Sequence, residues 1–330
     1  IADYTPKHLA EKILQSRATL EGERKQVTVL FVDIKSSMQL SAQIGAEKWH
    51  ELLDDFFAIL GDSIHRFEGT INQYTGDGAM ALFGAPISHE DHAQRACYAA
   101  LDLRDKLQEF QTNLLNEYNI EFHIRSGLNS GEVVVGKIGD DLRMDYTAQG
   151  HTVGVAQRIE QLAGADRIYI SSYTEKLVHG FFQTSPLGES IISGVEMPLG
   201  IYDLISTSEI KTRLEAAREI GLTQFVGRED ELLLLNAALN RAKAAHGQVV
   251  GVVGGPGLGK SRLCHEFVES CRANGVPVFD AHCPAHGKNI PMAPMLELVR
   301  NYFTISESDS ADIARSTIEK ALVEFNVSLE

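Results

Sequence analysis

Hydrophobic residues near the start of the chain follow two different periods, which predict a strand between two helices. Residues 6–20 have apolar positions at helical spacing, and a charged stretch then leads into residues 27–34. This second segment is short, apolar and rich in β-branched side chains, which is typical of a buried strand. In residues 49–67 the apolar positions recur every three or four residues and predict a long amphipathic helix.

Two further segments have the sequence pattern of β-hairpins. Residues 70–75 and 79–83 are strand-like, and Gly-Asp-Gly at 76–78 separates them. Two glycines around an aspartate supply the positive φ angles of a tight turn, so Asp77 should lie at the tip. We predict a second hairpin in residues 122–138, with its turn at Gly131.

The alternation of strands and helices continues to about residue 206. Ser88 followed by Asp91 resembles a capping box, and the helix that it would start runs to about residue 110. The later predicted elements are a strand at 144–148, a helix at 152–162, a strand at 167–170 and further strands between 181 and 205. This order predicts a ferredoxin-like α/β sandwich with a mixed, mainly antiparallel sheet, not a doubly wound parallel sheet.

Composition limits the possible partners and location. A net charge of −15 disfavours a protein that binds nucleic acid through a basic surface, so we predict no nucleic-acid partner. No apolar run approaches the ~20 residues of a membrane span, and a signal-peptide pattern is absent, so we predict no membrane insertion and a cytoplasmic location. The four cysteines lack Cys-x-x-Cys spacing, which favours reduced thiols. Because the first residue is Ile1 rather than Met, we expect a part of a longer protein.

Two acidic residues carry the chemistry that the first 206 residues suggest. Asp33 ends the strand at 27–34, and Asp77 lies on the predicted hairpin of a neighbouring strand. If the two carboxylates converge, they offer the oxygen ligands that hard divalent cations prefer. Such a site suits phosphoryl chemistry, because divalent ions can activate a hydroxyl and neutralise a triphosphate.

Four motifs give this region a family resemblance. They are similar, in order, to the signatures of class III adenylate and guanylate cyclases across residues 27–206. The motifs are Val-Leu-Phe-Val-Asp-Ile at 29–34, Tyr-Thr-Gly-Asp-Gly at 74–78, Gly-Leu-Asn-Ser-Gly at 127–131, and Gly-His-Thr-Val at 150–153 followed by Arg158.

The resemblance implies a function for several residues. Asp33 and Asp77 would bind two Mg²⁺ or Mn²⁺ ions, with the backbone carbonyl of Ile34 assisting, and Arg158 would stabilise the transition-state phosphate. Family members complete the site at a dimer interface, so a homodimer is implied. The positions that select the base correspond to Gln73 and Thr147. Both side chains can donate and accept hydrogen bonds, so they leave ATP and GTP open; we predict ATP, because adenylate cyclases are commoner among soluble bacterial relatives.

Two departures from the family keep a second interpretation open. Gly154 stands where the family usually has an asparagine, and residues 177–210 contain no lysine or arginine where a triphosphate-binding lysine is usual. Losing one transition-state donor commonly lowers the rate by a factor on the order of a hundred, so weak activity is compatible with the sequence. The alternative is a degenerate cyclase domain that dimerises or senses nucleotide.

A second nucleotide motif follows the first region. Residues 249–253 predict a short strand, and Gly-Gly-Pro-Gly-Leu-Gly-Lys-Ser at 254–261 forms a complete P-loop before a helical pattern. The loop amides, including those of Gly254 and Gly259, would surround the phosphates of ATP. Lys260 would contact the β- and γ-phosphates, and Ser261 would bind Mg²⁺.

The region around the P-loop resembles the start of an AAA-like ATPase module of the STAND type, on the evidence of Phe-Val-Gly-Arg-Glu at 225–229 and the loop itself. The order of the two modules is similar to that of bacterial cyclase fusions and of mammalian soluble adenylyl cyclase. No Walker B strand is evident, so regulation by ATP binding and output as an ATPase both remain open. We predict a helical lead-in at residues 1–26, a cyclase domain at 27–206, a helical linker at 207–222 and a partial P-loop α/β domain at 223–330.

Overall fold

A computed structural model describes most of the chain, and its contacts divide the protein into two units, Ile1–Ile210 and Lys211–Glu330. The described residues are 23–138, 145–149, 151–192, 197–208, 214–215, 218, 221–255, 258–283, 292–306 and 309–324. The predicted helix at 6–20 and most of the predicted linker at 207–222 lie outside these ranges.

The first unit is a mixed sheet with helices packed on it. Its strands are β1 (Glu23–Ile34), β2 (Thr70–Tyr74), β3 (Gly78–Phe83), β4 (Ile124–Ile138), β5 (Asp145–Gln149), β6 (Arg167–Ser171), β7 (Phe182–Ser190) and β8 (Leu199–Thr207). Its helices are α1 (Ser37–Ile44), α2 (Ala46–Arg66), α3 (His92–Tyr118), α4 (His151–Leu162) and α5 (Ser172–Val178).

The sheet has the order β2-β3-β1-β4-β6-β8-β7, and β5 pairs with β4 beside this path. Among the described pairs only β4 and β6 are parallel. The predicted mixed, mainly antiparallel sheet is therefore confirmed. The central strand β1 pairs with β4 along its whole length and with β3 from Thr28 to Asp33, and its apolar residues from Val27 to Ile34 are buried.

Alternate residues of β1 contribute to two sides of the core, as the period of a strand requires. One side is a buried cluster that includes Ala156 of α4 and consists of Val27, Val29, Phe31, Met80, Leu82, Ala85, Val133 and Ala156. This packing places α4 over the face of the sheet to which the odd-numbered residues of β1, Asp33 among them, belong.

The predicted hairpin around Gly131 is wrong, because β4 continues without a turn from Ile124 to Ile138. Gly131 lies opposite Val27 of β1 in the regular register. A Cβ atom at this glycine would lie 2.7 Å from Oγ1 of Thr152. The glycine therefore allows the first turn of α4 to approach the strand, and it does not form a turn.

The predicted capping box at Ser88 is also wrong. Helix α3 begins at His92, and its N-cap residue Asp91 makes no side-chain capping hydrogen bond. The Asp91 carboxylate instead accepts a hydrogen bond of 2.8 Å from Nε of Arg95, whose side chain is only 2% exposed and also pairs with Glu68. A buried guanidinium needs partners, and satisfying it takes precedence over a local cap.

The second unit contains four described helices: α6 (Glu229–Lys243), α7 (Lys260–Ala273), α8 (Ala293–Phe303) and α9 (Ala311–Glu324). The predicted strand at 249–253 is not formed, and Val249 and Val253 are almost fully exposed. A strand needs a neighbour for its backbone hydrogen bonds, and the described residues of this unit include no other strand. Within the described ranges, no helix has both the length and the apolar character that a membrane span requires.

Candidate active site

Asp33 and Asp77 lie together at one end of the central strands. Asp33 pairs with Gly78 in the register of β1 and β3, and the backbone N–H of Ile34 donates to the carbonyl oxygen of Asp77 at 3.3 Å. The turn before Gly78 is formed by Gly76, whose φ of 91° favours glycine. The predicted hairpin thus brings its acidic residue to the strand that carries the first carboxylate.

The surroundings of Asp33 change its pKa. The pKa of Asp33 is raised, chiefly because burial disfavours the charged form, while a hydrogen bond from Arg125 acts in the opposite direction. The charge of the Asp77 carboxylate raises the pKa of Asp33 further. Like charges held this close repel each other, and a divalent cation between them would remove the repulsion.

The surroundings of Asp33 fit a divalent metal ion. A Cβ atom at Gly78 would lie 2.9 Å from Oδ1 of Asp33, so the glycine leaves the space beside this oxygen open. No group of three or more His, Cys, Asp or Glu side chains suited to a metal occurs in the described part of the chain. Two carboxylates with additional backbone, water or phosphate oxygens nevertheless match the ligand set that Mg²⁺ usually takes. Asp33 and Asp77 would hold such an ion.

Two residues that the sequence analysis missed, Arg125 and Glu160, complete this cluster. Arg125 lies opposite Asp33 in the register of β1 and β4, and its Nη2 donates to Oδ2 of Asp33 at 2.7 Å. Its Nε lies 2.5 Å from Oε1 of Glu160 on α4, a close ion pair that is not aligned as a hydrogen bond. The available sequence signal was a charged residue two positions before the motif at 127–131.

The position of Glu160 follows from close packing of helix on strand. A Cβ atom at Gly127 would lie 2.1 Å from the backbone nitrogen of Glu160, so the glycine allows α4 to touch β4 at this point. Glu160 is only 4% exposed. Burial raises its pKa to about 7; Arg125 lowers it, whereas the charges of Asp33 and Asp77 raise it again.

Arg158, the predicted transition-state residue, is half-buried on α4 and is not part of this cluster. Its Nη1 donates to the carbonyl oxygen of Gly154, one turn earlier in the helix, at 3.1 Å. A Cβ atom at Gly154 would lie 3.1 Å from the same Nη1. The absence of a side chain at position 154 therefore lets the guanidinium lie against its own helix.

The P-loop residues of the second unit lie in an exposed segment before α7. Gly259 has a φ of 79°, which favours glycine, and the helix begins at Lys260. Nζ of Lys260 donates to the carbonyl oxygen of Gly255 at 2.8 Å. Ser261 follows in the first turn of α7, and Gly254 is exposed in the loop. Residues 256–257 lie outside the described ranges.

Comparison with known families assigns both regions. Residues 21–206 match the model of the adenylate and guanylate cyclase catalytic domain. The chain belongs to this cyclase family. Residues 224–324 match the model of an AAA ATPase domain, so such a domain follows the cyclase domain. The suspected resemblance to a cyclase joined to an ATPase module is therefore confirmed.

Individual relatives agree with the family assignment. Adenylate cyclase 1 of Rhizobium meliloti (strain 1021) is 30% identical over 217 residues, which is 64% of this chain and 33% of that protein. The crystal structure of the adenylyl cyclase CyaB from P. aeruginosa is 30% identical with a TM-score of 0.55, covering 58% of this chain and 98% of that one. The guanylyl cyclase Cya2 is likewise 30% identical with a TM-score of 0.54, covering 58% and 96%. This chain spans about a third of the length of the curated relatives it matches.

The positions expected to select the base in the cyclase domain lie on two different strands. Gln73 is exposed near the end of β2, where the register with β3 shifts, and it lies opposite Met80. Thr147 lies in β5 opposite Gly136 of β4, and its side chain is outside the described part of the structure. The family includes cyclases of both specificities, so its membership leaves the choice between ATP and GTP open.

Proposed function

We propose that the cyclase domain converts ATP into 3′,5′-cyclic AMP and pyrophosphate, with GTP as the alternative substrate. The observation that supports this most strongly is the meeting of Asp33 and Asp77 at one end of the sheet, where the charge of Asp77 raises the pKa of Asp33. Two bound Mg²⁺ or Mn²⁺ ions would supply Lewis-acid chemistry, lowering the pKa of the ribose 3′-hydroxyl and neutralising the triphosphate.

The protein's own groups orient the reactants. The carbonyl of Ile34 follows Asp33 directly and would be a further oxygen ligand, while Gly78 keeps the space beside Oδ1 of Asp33 open. Arg158 would act in the homodimer, on the phosphate held by the partner protomer. Because its contact with Gly154 is a single hydrogen bond within one helix, a charged phosphate oxygen is a stronger acceptor and would draw the guanidinium away.

The ATPase domain would bind ATP at its P-loop through Lys260 and Ser261 and regulate the cyclase. Nζ of Lys260 contacts a loop carbonyl in an exposed position, where a phosphate can replace that carbonyl as its partner.

A preference for ATP in the cyclase domain is supported by two of the similar proteins, which are adenylate cyclases. A cytoplasmic location agrees with cytosolic substrates and is part of this proposal.

The decisive experiment is a product assay with purified protein, Mn²⁺, and either ATP or GTP, read by chromatography for the cyclic nucleotide. We expect cyclic AMP from the wild-type protein and a loss of at least about 100-fold in the Asp77→Asn variant. Asp54→Asn on α2 is the matched control, because it removes the same charge from an exposed aspartate whose ion-pair partner is His50. Equal product from wild type and Asp77→Asn would contradict the proposal.

A degenerate domain that only binds nucleotide or dimerises is the second candidate, and Gly154 favours it, because it stands where the family usually has an asparagine. Calorimetry with a non-hydrolysable ATP analogue in a Lys260→Ala background tests this candidate. Binding without turnover would support a nucleotide sensor. Neither binding nor turnover would leave dimerisation, which analytical ultracentrifugation measures.

A further inference from the structure

Arg125 lies where a cation would lie beside Asp33. Its Nη2 is 2.7 Å from Oδ2 of Asp33, and the charges of Glu160 and Asp77 also act on the guanidinium. The position is fixed by strand pairing, because Asp33 has Gly78 on one side and Arg125 directly opposite on the other. One guanidinium therefore balances part of the negative charge that a metal ion would balance.

The other end of the guanidinium has a second acidic partner. Oε1 of Glu160 lies 2.5 Å from Nε of Arg125, yet neither atom has an aligned hydrogen bond. Glu160 is buried on a helix that touches β4 at Gly127, so its carboxylate cannot move far. Arg125 is the more exposed partner, with 29% of its side chain accessible. A small rotation of the guanidinium toward Glu160 would align the hydrogen bond and release Asp33.

We propose that Arg125 is a built-in counter-ion that competes with a divalent metal ion for Asp33, and that Glu160 is the positioning residue that receives Arg125 when the ion binds. The inference rests on the proposed metal site. At that site the guanidinium of Arg125 and the divalent ion would compete for the same carboxylates. The metal concentration that the domain needs for activity would therefore depend on Arg125 and Glu160.

The proposal predicts changes of opposite sign in metal affinity. Removing the charge with Arg125→Gln frees Asp33 and removes a repelling cation, so Mn²⁺ should bind about tenfold more tightly. Glu160→Gln removes the alternative partner and leaves Arg125 on Asp33, so Mn²⁺ should bind about threefold more weakly. A purely structural role of this pair predicts instead that both substitutions loosen the site and weaken binding.

The measurement is a Mn²⁺ titration by electron paramagnetic resonance, on the full chain and without nucleotide. Asp33→Asn defines the part of the binding that belongs to this site. Arg24→Gln is the matched control, because Arg24 is also an arginine in a β1–β4 ion pair, with Glu132, but is exposed. We expect this control to have wild-type affinity.

The outcomes separate the inference from the proposed function. If the Asp33→Asn variant binds as much Mn²⁺ as the wild-type protein, the proposed metal site is contradicted and the inference is contradicted with it. If that binding is present but Arg125→Gln leaves it unchanged or weaker, only the inference is overturned. If circular dichroism shows that Arg125→Gln is unfolded, Arg125→Lys replaces it. Lysine keeps the charge but cannot contact both acids. In the Arg125→Lys background, Glu160→Gln should therefore change Mn²⁺ affinity less than the same substitution does in the wild-type protein.

Discussion

The two proposed nucleotide sites of this protein are built in opposite ways. In the cyclase domain the acidic residues are far apart in sequence, and paired strands bring them together, with Asp33 directly opposite Gly78. In the ATPase domain the residues expected to bind phosphate belong to one continuous motif at 254–261, and the described loop residues of this motif are exposed and not paired in a strand. The first site depends on tertiary packing at every residue, whereas the second is encoded locally.

The two proposed sites should therefore be sensitive to different kinds of substitution. Residues without any functional group, such as Gly78 and Gly127, determine the geometry of the cyclase site because backbone or side-chain atoms lie where a Cβ would be. In the P-loop the functional group itself should matter most.

Gly78→Ala should damage the cyclase site although it removes no functional group. The new Cβ would lie 2.3 Å from the carbonyl oxygen of Val32, so β3 must shift away from β1. We expect unfolding free energy to fall by about 1–3 kcal/mol and cyclase activity to fall about 100-fold. Gly61→Ala in α2 is the control, since its Cβ would meet only Ile71, at 4.0 Å, and denaturant titration should show no loss of stability.

The stability of the cyclase domain should depend on pH through Glu160. The pKa of this buried carboxyl is raised to about 7 in the folded protein, so the folded state holds its proton more tightly than the unfolded state. This contribution is present below the unfolded pKa and is lost as pH rises through about 7, a decrease of up to about 3 kcal/mol in unfolding free energy.

Urea unfolding at about pH 5 and about pH 7.5 measures this effect. Glu160→Gln should remove most of the difference between the two values, because glutamine does not titrate. Glu189→Gln changes an exposed glutamate of β7 and should leave the difference as it is in the wild type. A wild-type protein whose stability is equal at both pH values would contradict the prediction.

Lys260→Ala should change binding without changing stability. Its described contact is a hydrogen bond to the carbonyl of Gly255 in an exposed loop, so its loss costs the fold little. We expect ATP affinity at the P-loop to fall about 30-fold, as for a lost charge-assisted contact. Calorimetry in an Asp77→Asn background measures this, with Lys243→Ala as the control. A large drop in melting temperature would show that the second site is not locally encoded.

Gly154→Ala should have the smallest effect, and a favourable one. Its Cβ would meet only the end of a flexible side chain, Nη1 of Arg158, which can move. Replacing a helical glycine by alanine usually stabilises by about 0.5–1 kcal/mol, and thermal unfolding should show this gain. A loss comparable to that of Gly78→Ala would mean that the position of Arg158 against α4 is more rigid than one hydrogen bond implies.

Local sequence was a good guide where the element carries its own signal. The amphipathic helix at 49–67 is found as Ala46–Arg66, and the hairpin at 70–83 has its turn at Gly76 as predicted. Glycine misled the prediction at position 131, because a glycine needed for close contact with a helix has the same appearance as a glycine needed for a turn. Only the neighbouring Thr152, contributed by a distant segment, distinguishes the two.

The family, the order of the two modules and the identity of the paired aspartates could be predicted from the sequence alone. All three depend on residue types at short and regular spacings. The tertiary structure decided what surrounds those aspartates. Arg125 reaches Asp33 through strand register, and Glu160 reaches Arg125 through contact of a helix with Gly127. Such contacts join residues that are distant in sequence, so short-range patterns along the chain cannot reveal them.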